Sequence, residues 1–180
     1  MSIVLSLEPI PGVSDAAGVA RLRSDEMIRL VELPGHDLEE WLALMWADYR
    51  SQLLGAGLSA EEASLNIEQN AKALFDNGVP NEDQRVFHVM DEEVKVGSLW
   101  LATREKHTAG LWYVYDIMID EEFRGKGFGR STMRAAEDYV KSQGGTILEL
   151  NVFGPNAVAR GLYESLGYQI MAIGMRKNLV

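Results

Sequence analysis

Arg124-Gly125-Lys126-Gly127-Phe128-Gly129 is the stretch on which the reading of this chain turns. It lies between an apolar run, Leu111 to Ile119, that reads as a strand and a segment from Gly129 to Lys141 that reads as a helix. Three glycines at alternate positions let the backbone turn tightly and approach a ligand without a Cβ atom in the way. The helix that follows offers free N–H groups and the positive end of its dipole. Arg124, Lys126 and Arg130 add fixed positive charge at the same mouth, which suits a diphosphate held by backbone amides. A plain strand-to-helix turn with solvated basic residues would carry the same letters. Two familiar phosphate fingerprints, G-x-G-x-x-G and G-x-x-x-x-G-K-[ST], are absent.

A second patterned stretch follows one helix and one strand later: Asn156-Ala157-Val158-Ala159-Arg160-Gly161-Leu162-Tyr163-Glu164-Ser165-Leu166-Gly167-Tyr168. Together, and in this order, the two resemble the signature of the GNAT superfamily of acyl-CoA-dependent N-acyltransferases. The pyrophosphate loop of that family reads Q/R-x-x-G-x-G/A, filled here by Arg124, Gly127 and Gly129, and its last helix reads N-x-x-A-x-x-L-Y-x-x-x-G-F/Y. The resemblance covers about residues 26 to 179 and is specific from Tyr115 onward.

Upstream, residues 1–24 hold Pro9, Pro11 and Gly12 without a sustained period and read as an extension, leaving 25–180 as one domain. Glu26 to Leu33 reads as a first strand. Asp37 to Leu54 carries Leu38, Trp41, Leu42, Met45, Tyr49 and Leu53 at helical spacing, with Asp37 and Glu40 as a capping-box-like start. Trp41 and Tyr49 sit on the apolar face, as core residues or as the lining of an acceptor pocket, while Trp46 lies off it. Ser59-x-x-Glu62 opens a second helix that runs to about Phe75. Val86 to Met90 and Val94 to Thr103 read as a hairpin. Thr146 to Phe153 is nearly continuously apolar, as expected of a strand buried on both faces. Pro155-Asn156 opens the last helix, and Tyr168 to Leu179 reads as a terminal strand or strand pair.

This order predicts an α/β (α+β) fold, and the resemblance sharpens it: a mixed, mostly antiparallel sheet with a central parallel, splayed strand pair and helices on both faces. Only about a dozen residues follow the tyrosine helix, where the family usually has two long strands. That leaves the acceptor side open or completed by another chain, a homodimer being the simplest form.

Composition sets bounds. A 180-residue chain that is 47% hydrophobic and 24% charged fits one globular domain with a full core. The absence of cysteine excludes a disulfide framework, a thiolate nucleophile and a thiolate metal site. His36, His88 and His107 lack ligand spacing, so no metal is expected. A net charge of −10 disfavours nucleic acid and anionic membranes as partners; it is compatible with a cationic substrate, and equally with a role in solubility alone. Met1 to Leu7 has no basic n-region and no run reaches membrane-spanning length, so a cytoplasmic protein is expected.

The activity that the resemblance implies is direct attack of a primary amine, on a small molecule or a peptide, upon the thioester of acetyl-CoA. The cofactor-binding residues carried over are Ile117, Met118 and Ile119 on the strand, Arg124, Gly125, Lys126, Gly127, Phe128, Gly129 and Arg130 at the diphosphate, and Asn156 as helix cap and CoA contact. Backbone groups of Ile117 and Ile119 would pair with the pantetheine amides, and N–H groups near Ile117 and Met118 would meet the thioester oxygen as it gains charge. Tyr163 would protonate the departing thiolate. Asp116, on the strand beside the carbonyl, is the candidate base, with Glu149 and Asn151 behind it. A CoA-binding module that senses or assembles without turnover is the alternative, since motifs do not prove turnover.

Overall fold

The computed structural model describes residues 28–180 apart from 77, 105–107, 178 and 180, so the expected extension over residues 1–24 lies outside the described residues. Five strands form the main sheet: β1 (Arg29–Glu32), β4 (Gln84–Asp91), β5 (Val94–Thr103), β6 (Leu111–Ile119) and β7 (Ile147–Leu150), in the order β1-β4-β5-β6-β7. The first four are antiparallel neighbours, and only β6 and β7 run parallel. A two-stranded ladder, β2 (Phe75–Asp76) with β3 (Val79–Pro80), follows the second helix. Among the described residues there are four α-helices: α1 (Leu38–Gly55), α2 (Ala60–Leu74), α3 (Phe128–Ser142) and α4 (Ala157–Ser165).

Each face of the sheet is covered by one pair of helices. On one side Met133, Ala136 and Val140 of α3, with Ala159 and Tyr163 of α4, pack on Val89, Leu99, Val114 and Ile117. On the other, Trp41, Met45, Tyr49 and Leu53 of α1 cover Val86, Trp100, Tyr113 and Tyr115. Those four α1 residues fall three or four apart, the repeat that keeps one stripe of a helix against a sheet. The indole of Trp41 is held edge-on to Trp100 at 5.5 Å and donates to Ser98 Oγ at 3.3 Å. Trp46, off the stripe, stays partly buried against Phe75 and Tyr49. Among the described residues, no helix is long and apolar enough to cross a membrane.

Ser59 and Glu62 form the expected capping box at the start of α2. Asp37 does not cap α1. Its backbone is itself near-helical and its carboxylate is bonded to His88 Nε2 at 2.8 Å, so the interaction ties the helix start to β4. The helix expected to reach Phe75 ends at Leu74, because the turn beyond it folds as the β2–β3 ladder. Two expectations fail together at the other end. β7 is not buried on both faces but is an edge strand of four residues, exposed or half-buried throughout. The reason is that the segment after Tyr168 forms no strand among its described residues, so none covers the outer edge of β7.

Gly97 marks the tightest place in the sheet. It pairs with Val89 on one side and Ile119 on the other, and a Cβ atom there would lie 2.0 Å from the carbonyl oxygen of Met118. Relief requires the β5–β6 ladder to shift, since the obstacle is backbone. Gly97→Ala is therefore expected to cost about 1–3 kcal/mol, the range of overpacked cores, read as a lower urea midpoint at unchanged slope.

Candidate active site

The site is made by a strand that changes partners along its length. From Leu111 to Val114, β6 pairs with β7, in register with Ile147 to Leu150. Pairing with β7 then stops, although β6 continues for five residues to Ile119. At the same level the ladder with β5 slips: Leu101 faces Val114 and Trp100 faces Asp116, leaving Tyr115 as the extra residue of a bulge. Trp100 stacks on the displaced Tyr115 ring at 4.8 Å, and Arg104 donates to its hydroxyl at 3.2 Å while lying over the Tyr113 ring.

Beyond the bulge the direction of each backbone group follows from one contact. Asp120 N–H donates to the Val96 carbonyl, so Asp120 faces β5, and strand alternation turns Met118 the same way, opposite Ser98. The backbone groups of Ile117 and Ile119 then point into the gap left by β7. Met118 does not: its backbone belongs to the β5 ladder, which removes it as a thioester-oxygen donor. Ile117 N–H is already engaged, bonded to the Asp116 carboxylate.

The loop after β6 is built to present its backbone. A 3-10 turn at Glu121–Phe123 leads into it, and the rings of Phe123 and Phe128 meet edge-on at 5.8 Å across its base. Gly127 is the N-cap of α3 with φ +92°, a conformation costly for any residue with a Cβ atom. Arg130 and Ser131 N–H bond back to the Gly127 carbonyl, so the first amides of the helix, at Phe128 and Gly129, open toward solvent. Gly125, Lys126 and Gly127 are exposed. The basic side chains are more committed than the sequence suggests. Arg124 Nε donates to the Ile119 carbonyl at 2.9 Å, clasping the end of β6; Arg130 donates to Ser165 Oγ at 2.6 Å, joining α3 to α4; Lys126 Nζ lies 5.6 Å from the Phe123 ring.

Asn156 caps α4, its Oδ1 accepting from Ala159 N–H at 3.0 Å. The helix then turns Tyr163 inward, to 3% exposure, against the Tyr168 ring and beside a cavity of about 180 Å³ that Leu150, Asn151 and Val152 also line. Burial, reinforced by the charges of Asp116 and Tyr168, holds the Tyr163 phenol well above its usual range. Asp116 is equally buried. Its carboxyl is pushed up to about 7, first by desolvation and then by the negative charge of Asp48, with the Ile117 hydrogen bond opposing. The structure thus brings Asp116 and Tyr163 within electrostatic reach of one another at the head of the gap. Glu149 pairs with Tyr113 within the ladder, and Asn151 lies past its end.

Asp48 is the residue that the sequence analysis missed. It is half-buried and accepts a hydrogen bond from Gln52 Nε2 at 2.5 Å. The signal was present: Trp41, Met45, Asp48 and Gln52 recur at i, i+4, i+7 and i+11, so two polar residues share the stripe that faces the sheet.

The raised Asp116 has a consequence for stability. Its folded value exceeds that of the unfolded chain, so its contribution is intact in acid and is lost as pH rises from the ordinary carboxylate range through about 7. Asp116→Asn cannot ionise. It is expected to be more stable than the parent at about pH 8, by on the order of 1.4 kcal/mol for each tenfold gain in proton affinity that folding gives the carboxyl. The advantage should vanish below about pH 3, where the carboxyl is protonated in both the folded and the unfolded chain. Urea unfolding of both proteins at the two pH values checks this, and a pH-independent difference would contradict it.

Comparison with known proteins fits this geometry. The family model described as the acetyltransferase (GNAT) family matches residues 38–168. The chain is 28% identical to the uncharacterized N-acetyltransferase YycN of Bacillus subtilis over 154 residues, 84% of this chain and 99% of that one. The crystal structure of YycN superposes with a TM-score of 0.80, covering 86% of this chain and 99% of its own. A mycothiol acetyltransferase of Thermobispora bispora is 30% identical over 167 residues, 89% of this chain but 50% of that protein. AAC(6')-Iy, solved in complex with the bisubstrate analog CoA-S-monomethyl-acetylneamine, shares the fold at a TM-score of 0.52 and 17% identity, over 84% of this chain and 98% of its own. With the strand gap, the glycine loop and the tyrosine helix in the expected order, the chain belongs to the acetyltransferase (GNAT) family.

Proposed function

We propose that this acetyltransferase moves an acetyl group from acetyl-CoA directly to a primary amine of a cationic small molecule or peptide, in the cytoplasm, the compartment expected from the sequence. The observation that carries the reading is the pair at the head of the gap: a carboxyl poised near neutrality, Asp116, beside a phenol that stays protonated, Tyr163. Proton acceptor and proton donor flank the place where the amine must lose a proton and the thiolate must gain one.

The thioester lies along β6, its pantetheine arm paired with the Ile117 carbonyl and the Ile119 amide, the backbone groups that Asp116 and Arg124 do not take, and its diphosphate on the amides of Gly127, Phe128 and Gly129. The amine approaches from the side of α1, where the negative charges of Asp48 and Asp116 favour a cation. Asp116 takes the proton as the nitrogen attacks the carbonyl carbon. Collapse of the tetrahedral intermediate breaks the carbon–sulfur bond, and Tyr163 protonates the sulfur. No covalent enzyme intermediate is required, so most of the rate comes from positioning. Clasping of Ile119 by Arg124 supports a fixed strand end rather than a direct phosphate contact for that side chain.

Gly127→Val puts a branched side chain at φ +92° and into the path of the diphosphate, so CoA affinity should fall at least tenfold in a folded protein. Calorimetric titration checks it, and affinity equal to the parent would refute the loop assignment. Tyr163→Phe deletes only the phenolic oxygen. Single-turnover acetyl transfer is expected to fall on the order of 10²-fold while CoA affinity barely changes. Equal transfer rates would remove the general-acid role. A parent that binds CoA yet acetylates nothing in an amine library would favour a sensor instead.

A further inference from the structure

Two carboxyl groups on the α1 side of the sheet, those of Asp48 and Asp116, have no basic partner among the described residues. Asp116 is buried on β6 and bonded to the Ile117 amide. Asp48 stands on the stripe of α1 that faces the sheet, beyond the buried Met45, half-buried and near enough for its charge to be felt at Asp116. A negative centre left without a counter-charge beside the strand gap favours a cation brought from outside.

Asp48 is nevertheless held in place. Gln52, one turn further along α1, donates through Nε2 to Asp48 Oδ2 at 2.5 Å, and in doing so keeps its own Oε1 buried without a hydrogen-bond partner. An unpaired buried acceptor is costly, and a glutamine free to turn would offer that oxygen to water. The amide is thus committed to fixing the carboxylate, and it takes only one of the two carboxylate oxygens. Among the described residues nothing donates to Oδ1.

The reaction decides which cation suits Asp48. The attacking nitrogen must shed its proton, so a carboxylate that held the charge on that nitrogen would oppose the step. A charge elsewhere on the acceptor keeps its partner from binding to product release, and by like-charge repulsion it makes the reacting ammonium easier to deprotonate. Resting on the acetyl-transfer reading above, we propose that Asp48, positioned by Gln52, holds a second ammonium group of the acceptor, so that the enzyme takes diamines charged at both ends in preference to amines of single charge. An interaction that is the same before and during the reaction is uniform binding, so the preference lies in KM and not in kcat.

The test supplies the protein with acetyl-CoA and, in turn, straight-chain diamines of increasing length and the monoamines of the same lengths, and follows release of free thiol. At least one diamine is expected to exceed its monoamine on the order of tenfold in kcat/KM, through KM. Asp48→Asn keeps the size of the side chain and an oxygen for Gln52 but removes the charge, and the ratio should fall to about one. Because the ratio is taken within one preparation, partial loss of folded enzyme does not alter it. Gln52→Met leaves both carboxyl groups and should raise the diamine KM while kcat holds; an unaltered KM there overturns the positioning by Gln52. Equal kcat/KM for every diamine and its monoamine overturns the proposal and leaves acetyl transfer standing, as does a preference that survives in Asp48→Asn. Thiol release with none of these amines also overturns it, and the transfer reading falls with it only if the wider amine library is equally inert.

Discussion

The structure depends on a backbone that loses a partner without losing its course. β6 is held by β5 along its full length, but β7 accompanies it only from Leu111 to Val114. A strand edge abandoned inside a domain exposes N–H and C=O groups that must find other partners. Here they find an arginine, Arg124 at the Ile119 carbonyl, and a carboxylate, Asp116 at the Ile117 amide. Those substitutes are interchangeable with ligand groups in a way that a β-strand is not. The bulge at Tyr115 shifts the alternation by one residue, so Asp116 comes to lie on the α1 face while Ile117 keeps its place in the opposite core.

A buried carboxyl with a half-buried carboxylate near it, Asp116 with Asp48, costs stability. The aromatic group around it is what makes that tolerable. Trp100, Tyr115, Trp41 and Phe75 pack in a continuous chain of ring contacts between 4.8 and 5.5 Å, so the bulge rests on rigid neighbours and not on mobile aliphatics. Rigidity is what positions Asp116 against the gap.

Much of this was legible in the sequence because local chemistry dictated it. The glycine loop, the Asn156 cap and the capping box at Ser59 are each satisfied within a few residues, and all three form as expected. The stripe of α1 was legible in its apolar members but not in Asp48, because a periodicity search discards a polar residue that a site retains. What failed depended on distant partners. Asp37 looked like a cap until His88, 51 residues away, took its carboxylate. The apolar run before Phe153 looked doubly buried, but burial of β7 depends on whether another strand arrives, and its own residues carry no record of that. The strand or strand pair expected over Tyr168 to Leu179 does not form among the described residues, because a strand also needs a neighbour. The direction of the Met118 backbone was beyond any sequence pattern, since one bulge residue reverses it.

The ring contacts around Trp100 make the site visible from outside. Trp100 is fully buried, lies nearly parallel to the bulge residue Tyr115 and donates its indole N–H to Gln84 Oε1 at 3.0 Å. Any occupant that alters the bulge must alter that stack, and with it the local field on an indole shielded from solvent. The protein thus carries a buried indole stacked on the bulge of β6, on the side of the strand away from the gap, so its emission is expected to answer to the course of that strand.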